Sequence, residues 1–327
     1  MGEFELLSRV RAQLPAVGPQ VQVGSGDDAA VTMPSGATAT SVDALVEGVH
    51  FRRDHSNLRQ IGRKALATAL SDLAAMGAAA GEAYVVLGVP AEIDEGGCLE
   101  LLDGLSKIAV ATGTSLAGGD ITRTPALTLA VTVVGHAPAA ERFVTRSGAR
   151  PGDVLVVTGE IGGAAAGLLL LEMPAVAAAV PEASAERLRS RQLEPEPLLE
   201  AGQALAEAGA TAMIDLSDGL GGDASHLAEA SGVGMRIEAG ALPVADGVRE
   251  IATAAGRDPA QLAVSGGEDY ELLAALPAER LEDAIAALDA TCGTALTRIG
   301  DVVAGGGVEI RLPDGGLLEP VGFDQLG

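Results

Sequence analysis

The chain has 327 residues, long enough for two domains of about 150 residues each rather than one core. Apolar residues make up 48%, charged residues 20% and aromatics 2%, with no Trp; this is a globular composition with an Ala/Val/Leu/Ile core, and it excludes a disordered chain. The 45 acidic and 21 basic side chains give a net charge of −24, which repels nucleic acid and anionic membranes, so any phosphate handled here needs metal ions or locally placed cations.

Cys98 and Cys292 are the only cysteines, which excludes a disulfide framework and a Cys-based zinc site. The opening residues lack the basic flank and apolar run of a signal peptide. The longest apolar stretch, 161–171, is about half of the ~20 residues a bilayer span needs. The expectation is a cytoplasmic protein with no membrane span and no nucleic-acid partner.

In chain order, residues 1–16 read as a short amphipathic helix with Phe4, Leu6, Leu7, Val10 and Leu14 on one side. A Gly/Asp loop at 24–28, a short strand at 29–33 and a strand at 39–46 follow. Asn57 is placed to cap a long helix reaching about Met76, with a stripe of Ile61, Ala65, Leu66, Ala69, Leu73 and Met76. A β-rich run at 84–89 stops at Pro90. Residues 98–112 read as helix and 127–134 as strand. The turn-rich segment 146–153 reads as a linker, separating a domain of residues 1–145 from one of residues 146–327. The second begins with a buried-type strand at 154–158 and a helix at 161–171. Residues 174–191, Ala-rich with two prolines, read as a surface excursion. Helices are expected over 197–208, 219–230 and 277–290, and Val264 and residues 271–275 flank another Gly/acid loop. Each half mixes strands and helices, so the fold class is α/β (α+β) with two mixed domains.

The acids lie beside glycines or at element junctions: Gly26-Asp-Asp-Ala-Ala-Val31, Ser41-Val-Asp43, Ser71-Asp72, Gly118-Gly-Asp120, Asp215-Leu-Ser-Asp-Gly-Leu-Gly-Gly-Asp223 and Ser265-Gly-Gly-Glu-Asp269. Any one of these is ordinary turn chemistry. Six in one chain place carboxylates where backbone can approach a ligand, as a hard cation shared with phosphate requires. Asp43 falls inside a strand run, where an unpartnered buried carboxylate would cost several kcal/mol, so it calls for a metal or a cation. Asp72 poses the same question in an Ala/Leu-rich helix. No Walker motif, dinucleotide-binding glycine fingerprint, zincin histidine spacing or nucleophile elbow is present, and no covalent catalytic residue is indicated.

These blocks, together with Ser41-Val-Asp-Ala-Leu-Val-Glu-Gly-Val-His-Phe51 and Ser265-Gly-Gly-Glu-Asp-Tyr-Glu-Leu272, occur in one order that resembles the thiamine-monophosphate kinases. That family sits in the larger group of aminoimidazole ribonucleotide synthetase and selenophosphate synthetase. The resemblance covers nearly the whole chain, to the terminal Gly-Phe-Asp324. It implies phosphorylation of thiamine monophosphate to thiamine diphosphate with ATP as co-substrate. It implies several Mg²⁺ ions on Asp28, Ser41, Asp43, Asp72, Asp120, Asp215 and Asp218. Gly119, Arg146 and Ser217 would touch the nucleotide, and His50, Glu268 and Phe323 the thiamine phosphate. It also implies a homodimer in which N-terminal sheets pair into a barrel, with the C-terminal α/β domain covering the ATP cleft. Leu101 and Leu102 precede Asp103-Gly104-Leu105, where family members often carry an aromatic near the nucleotide.

An acceptor that is a phosphate monoester is ionised near neutral pH and needs no general base, which matches the absence of an obvious His/Asp pair. Direct in-line transfer is the expectation. Two alternatives stay open at this stage: another ATP-dependent enzyme of the same superfamily, or a non-catalytic Mg²⁺- or nucleotide-binding module.

Overall fold

The computed structural model describes residues 3–137 and 143–323. The chain divides into two compact units, one of Met1–Leu73 with Ala78–Glu141 and one of Ala74–Gly77 with Arg142–Gly327. Both mix helices with sheet, the α/β architecture expected.

In the first unit, helix α1 (Glu3–Gln13) is followed by a two-stranded ribbon, β1 (Val21–Val23) and β2 (Val31–Thr32). The main sheet uses β3 (Thr38–Val46), β4 (Ala79–Val89), β5 (Ser115–Arg123) and β6 (Thr128–His136) in the order β3-β6-β4-β5. Only the β4–β5 pair is parallel. In strand β6, Leu129, Val131 and Val133 are buried while their alternating neighbours are half-exposed, the pattern of a sheet with one covered face. Helix α2 (Leu58–Ala75) starts with a reciprocal cap. The Asn57 Oδ1 accepts the Gln60 N–H at 2.9 Å, and Gln60 Oε1 accepts the Asn57 N–H at 3.1 Å. Helix α3 (Glu95–Thr112) is capped by Asp94 and ends at Gly113, whose φ of 71° is left-handed. A Cβ at Gly62 would lie 2.1 Å from Leu101 O, and one at Gly104 2.0 Å from Arg59 O. The two helices therefore meet backbone to backbone, and Leu101 and Leu102 are buried in that contact.

The second unit is built on a seven-stranded sheet. Its strands are β7 (Asp153–Thr158), β8 (Ala212–Asp215), β9 (Gly234–Glu238), β10 (Leu272–Pro277), β11 (Leu296–Val303), β12 (Gly307–Arg311) and β13 (Leu317–Leu318), in the order β13-β12-β9-β11-β7-β10-β8. All pairs are antiparallel except β12–β9. Every residue of β7 is buried, as a central strand covered on both faces demands. Helices α4 (Gly163–Glu172), α5 (Glu182–Leu193), α6 (Leu199–Ala208), α7 (Leu220–Ser231), α8 (Val248–Ala254), α9 (Pro259–Ser265) and α10 (Leu281–Thr291) complete it. One core joins Leu155, Val157, Ile214, Leu273 and Ile299 to Leu220 and Leu227 of α7. A second joins α4, α5 and α8 through Leu170, Leu188, Val248 and Ile251.

Two readings are corrected here. Residues 174–191 are not a surface excursion: a 3-10 turn (Pro174–Ala179) leads into α5, with Val176, Ala185 and Leu188 in the core. The apolar stripe is mostly Ala and faint in sequence, and docking against α4 makes it a packed helix. At Gly167 a Cβ would lie 2.1 Å from Leu188 O, so α4 and α5 are in close backbone approach. Gly118, Gly119 and Asp120 are not a loop but the middle of β5, paired in parallel with Tyr84, Val85 and Val86. Pairing with β4 supplies backbone partners that two glycines do not advertise locally. Among the described residues, no helix is long and apolar enough to cross a membrane.

Candidate active site

In the first unit, β3 alternates so that Ser41 and Asp43 share a face with buried Leu45, while Val42 is 67% exposed on the other. The Ser41 hydroxyl donates to the Asp72 carboxylate of α2. Asp72 therefore faces the sheet and is not part of a solvated helix exterior. Asp43 is half-buried, and its Oδ1 accepts the Ala44 N–H at 2.7 Å. It is less enclosed than a strand position suggested, so desolvation alone does not demand a cation there. Asp120 is exposed on β5, with its Oδ1 accepting the Ile121 N–H at 2.9 Å. The row through Asp43 crosses Val131 and Val85 to Gly119. Three strand spacings amount to about 14 Å, so Asp43 and Asp120 do not share one ion at the ~2 Å ligand distance of Mg²⁺. A Cβ at Gly119 would lie 2.1 Å from Val85 O, which requires a bare glycine. Asp28 is exposed between β1 and β2, its N–H bonded to Asp27 Oδ1 at 2.8 Å.

His50 closes the turn after β3. Its N–H donates to Val46 O at 2.9 Å, and its Nδ1 accepts the Val46 N–H at 3.0 Å. With Nδ1 an acceptor, the neutral imidazole carries its proton on Nε2, a donor for an anion.

In the second unit, β8 delivers Asp215, buried at its end, into the segment that opens α7. Asp223, in the first turn of α7, accepts the N–H groups of Asp218 at 3.1 Å and Gly219 at 3.0 Å through Oδ2. Burial, then the charges of Asp215 and Asp218, push its pKa up to about 8. Gly219 stands at the N-cap of α7 without a side chain to cap it, and the Asp223 carboxylate takes up the N–H groups there instead. Ser217 O accepts the Glu268 N–H at 2.8 Å, Leu216 O accepts the Tyr270 N–H at 2.9 Å, and Glu271 O accepts the Leu216 N–H at 2.8 Å. Residues 215–218 and 268–271 are thus strapped together. A Cβ at Gly267 would lie 2.6 Å from Ser217 O.

The acids of the 268–271 segment have different tasks. Asp269 accepts the Gly162 N–H at 2.6 Å and the Ala164 N–H at 3.0 Å, tying the start of α4. Burial pushes its pKa up to about 6 against those donors. Glu271 is buried between Thr158 Oγ1 and Arg191 Nη2, each at 2.7 Å, and burial pushes its carboxyl up. Glu268 is half-buried, with its carboxylate bonded to Gln192. Phe323 is brought to the 215–218 segment by its N–H, which donates to Asp218 O at 2.8 Å. Gly222 permits this, since a Cβ there would lie 2.9 Å from Gly322 Cα. The Phe323 ring is 59% exposed, so it does not close the C-terminal core. Asp324 lies outside the described residues. Arg146 is exposed, its carbonyl accepting from Ser231 Oγ at 2.9 Å.

The chain matches the AIR synthase related protein N-terminal domain over residues 26–137 and the corresponding C-terminal domain over 150–313. It is 42% identical to a thiamine-monophosphate kinase of Mycobacterium tuberculosis over 283 residues, covering 84% of this chain and 80% of that protein. The chain belongs to the thiamine-monophosphate kinase family. A crystal structure of thiamine-monophosphate kinase from Stenotrophomonas maltophilia superposes with a TM-score of 0.83 at 36% identity, covering 97% of this chain and 98% of that one. A structure of AaThiL complexed with AMPPCP and TMP superposes with a TM-score of 0.77 at 31% identity, covering 98% and 96%.

Of the residues that the family resemblance singles out, Asp28, Ser41, Asp43, His50, Asp72, Gly119 and Asp120 lie in the first unit, and Arg146, Asp215, Ser217, Asp218, Glu268 and Phe323 in the second. Among the described residues, no three His, Cys, Asp or Glu side chains are grouped to hold an ion by themselves. Mg²⁺ ordinarily takes one or two carboxylates and completes its shell with water and substrate phosphates. The donor set fits such an ion in its chemistry: hard carboxylate oxygens, with Asp223 beside Asp215 and Asp218 pushed up to about 8, first by burial and then by their charges. Sequence reasoning assigned no role to Asp223 or to α5. Its only signal for Asp223 was the third acid in the Asp215–Asp223 block, and for α5 there was none.

Proposed function

We propose that this protein catalyses the ATP-dependent phosphorylation of thiamine monophosphate to thiamine diphosphate by direct in-line transfer. The observation that carries it is 42% identity to a thiamine-monophosphate kinase across 84% of the chain. The complex of a relative with AMPPCP, an ATP analogue, and TMP supports the same pair of substrates.

Mg²⁺ would be held by Asp28, Ser41, Asp43, Asp72, Asp120, Asp215 and Asp218. When bound, it offsets the charge of two phosphate groups that would otherwise repel each other and the protein. The chain's own residues then have limited tasks. Ser41 orients Asp72 through its hydroxyl. Asp223 holds the backbone at 218–219 in place from beneath. Gly119, Arg146 and Ser217 would contact the nucleotide, and His50 Nε2, Glu268 and Phe323 the acceptor. No side chain has to remove a proton, because the attacking oxygen is already ionised. The N-terminal sheet, with Val42 67% and Val86 46% exposed on its uncovered face, would pair with a second copy in a homodimer. The cytoplasm is the compartment proposed, and residues 1–145 and 146–327 the functional domains.

The direct test is ATP consumption with and without thiamine monophosphate, with free thiamine as the second acceptor. The monophosphate is expected to be used and free thiamine to be used at least about 100-fold less efficiently, since its hydroxyl needs a base and falls one phosphate short. Comparable use of free thiamine would refute the phosphate-acceptor reading. ATP hydrolysis indifferent to both would favour another member of the superfamily.

His50→Ala is expected to lower kcat/KM for thiamine monophosphate about 10- to 150-fold, the worth of a hydrogen bond to a charged partner. The KM for ATP should change far less. Because Nδ1 also anchors Val46, a small loss in melting temperature should accompany it. Unchanged thiamine-monophosphate kinetics would remove His50 from the site.

A further inference from the structure

We infer that Gln192 is a positioning residue for the substrate: it holds the Glu268 carboxylate in the orientation that accepts from the amine-bearing pyrimidine ring of thiamine monophosphate. The inference rests on the reading of Glu268 as a substrate group and deepens it.

Three observations converge. Gln192 is only 6% exposed, near the end of α5, and its Nε2 donates to Glu268 Oε2 at 2.5 Å. A buried amide that donates to one carboxylate oxygen fixes the plane of the carboxylate, and with it the direction in which the group can accept from a ligand. Glu268 and Tyr270 have φ values of 67° and 51°, the two non-glycine residues in the left-handed region among those described. Such strain persists where the surroundings enforce it, and it concentrates at ligand-binding segments. The backbone there is held by Ser217 O and Leu216 O, which accept the Glu268 and Tyr270 N–H groups, and two consecutive α5 residues hold side chains of the same segment: Gln192 bonds its first acid, and Arg191 its last, Glu271, at 2.7 Å while donating to Glu160 O at 2.5 Å. Asp269 between them is bound to the start of α4. Helix α5 is in turn seated by the close approach of Leu188 to Gly167, which also brings Gln192 Cβ within 3.0 Å of where a Gly167 Cβ would be. Of the three acids in the segment, Asp269 is tied to backbone N–H groups and Glu271 to a guanidinium.

The test is a double-mutant cycle with both substrates varied. Gln192→Met keeps the side-chain volume and removes the donor. It is expected to raise the KM for thiamine monophosphate about 5- to 30-fold, with the KM for ATP and kcat within about twofold. Glu268→Ala should raise the same KM by more, and adding Gln192→Met to Glu268→Ala should change nothing further. Equal KM values for Gln192→Met and the wild-type protein, with Glu268→Ala impaired, would overturn the positioning role alone. An unimpaired Glu268→Ala would overturn the reading beneath it. Additive defects in the double variant, or a common drift of both KM values with a lowered melting temperature, would make Gln192 a fold residue only.

Discussion

Asp43→Asn and Asp72→Asn are each expected to lower kcat about 100- to 1000-fold, the range for losing one preorganised contact to transition-state charge. Both changes are nearly isosteric and keep the local hydrogen bond. The amide oxygen introduced in Asp43→Asn can still accept the Ala44 N–H, and the one introduced in Asp72→Asn can still accept from Ser41. The fold should therefore survive, with a melting temperature close to wild type, and the lost charge is isolated as the cause. Steady-state turnover at saturating ATP, thiamine monophosphate and Mg²⁺ is the measurement. Near-wild-type turnover in either variant would remove that carboxylate from the metal-ligand set. The proposed ligands Asp43 and Asp120 stand on different strands of the sheet. Asp43 lies three strand spacings, about 14 Å, from the Asp120 end, so variants at these two positions need not share one Mg²⁺ dependence.

The second large effect is on stability. The Asp223 carboxyl is pushed up to about 8, first by burial and then by Asp215 and Asp218. Its unfolded pKa lies in the ordinary carboxylate range, near ~4. Between those values the folded chain binds one more proton here than the unfolded chain, so stability is fully present at low pH and falls as pH rises toward about 8. The span corresponds to on the order of 5 kcal/mol as an upper bound. Asp269, raised to about 6, and Glu271, also raised by burial, act in the same direction. The interval from about pH 6 to about pH 8 therefore isolates Asp223 from Asp269. In metal-free buffer the wild-type melting temperature should drop by several degrees across that interval. Asp223→Asn should flatten the drop, because the amide oxygen still accepts from Asp218 and Gly219 without titrating. Added Mg²⁺ should raise the wild-type value at the upper end of the interval and leave the variant less affected. Parallel profiles for the two proteins would show that Asp223 does not carry the linkage.

The helices with capping chemistry and a clear stripe were legible before any coordinates: Asn57 does start α2, and Ile61, Ala65, Leu66, Ala69 and Leu73 are buried along it. So were the strands with alternating or continuous aliphatic runs, β3, β6 and β7. Helix α5 and strand β5 were not. Alanine gives no strong amphipathic contrast, and Gly118-Gly119 reads as a turn until β4 pairs with it. In both cases the stabilising partner is a separate element, α4 for α5 and β4 for β5, and a local pattern carries no record of it.

The same division holds for the candidate site. The sequence by itself determined the inventory: acids beside glycines, in one order. That inventory, and the family it resembles, follows from residue type and spacing alone. Only the tertiary structure decided what each acid is bound to. Asp269 and Glu271 belong to the same Gly-Gly-Glu-Asp-Tyr-Glu block as Glu268, yet they are bound to the start of α4 and to Arg191, while Glu268 is held by Gln192. Asp223 sits in one block with Asp215 and Asp218, yet it faces backbone N–H groups and carries a proton near neutral pH. The chemistry of a carboxylate is written in the chain, but its charge state and its hydrogen-bond partners depend on burial and on donors from distant segments.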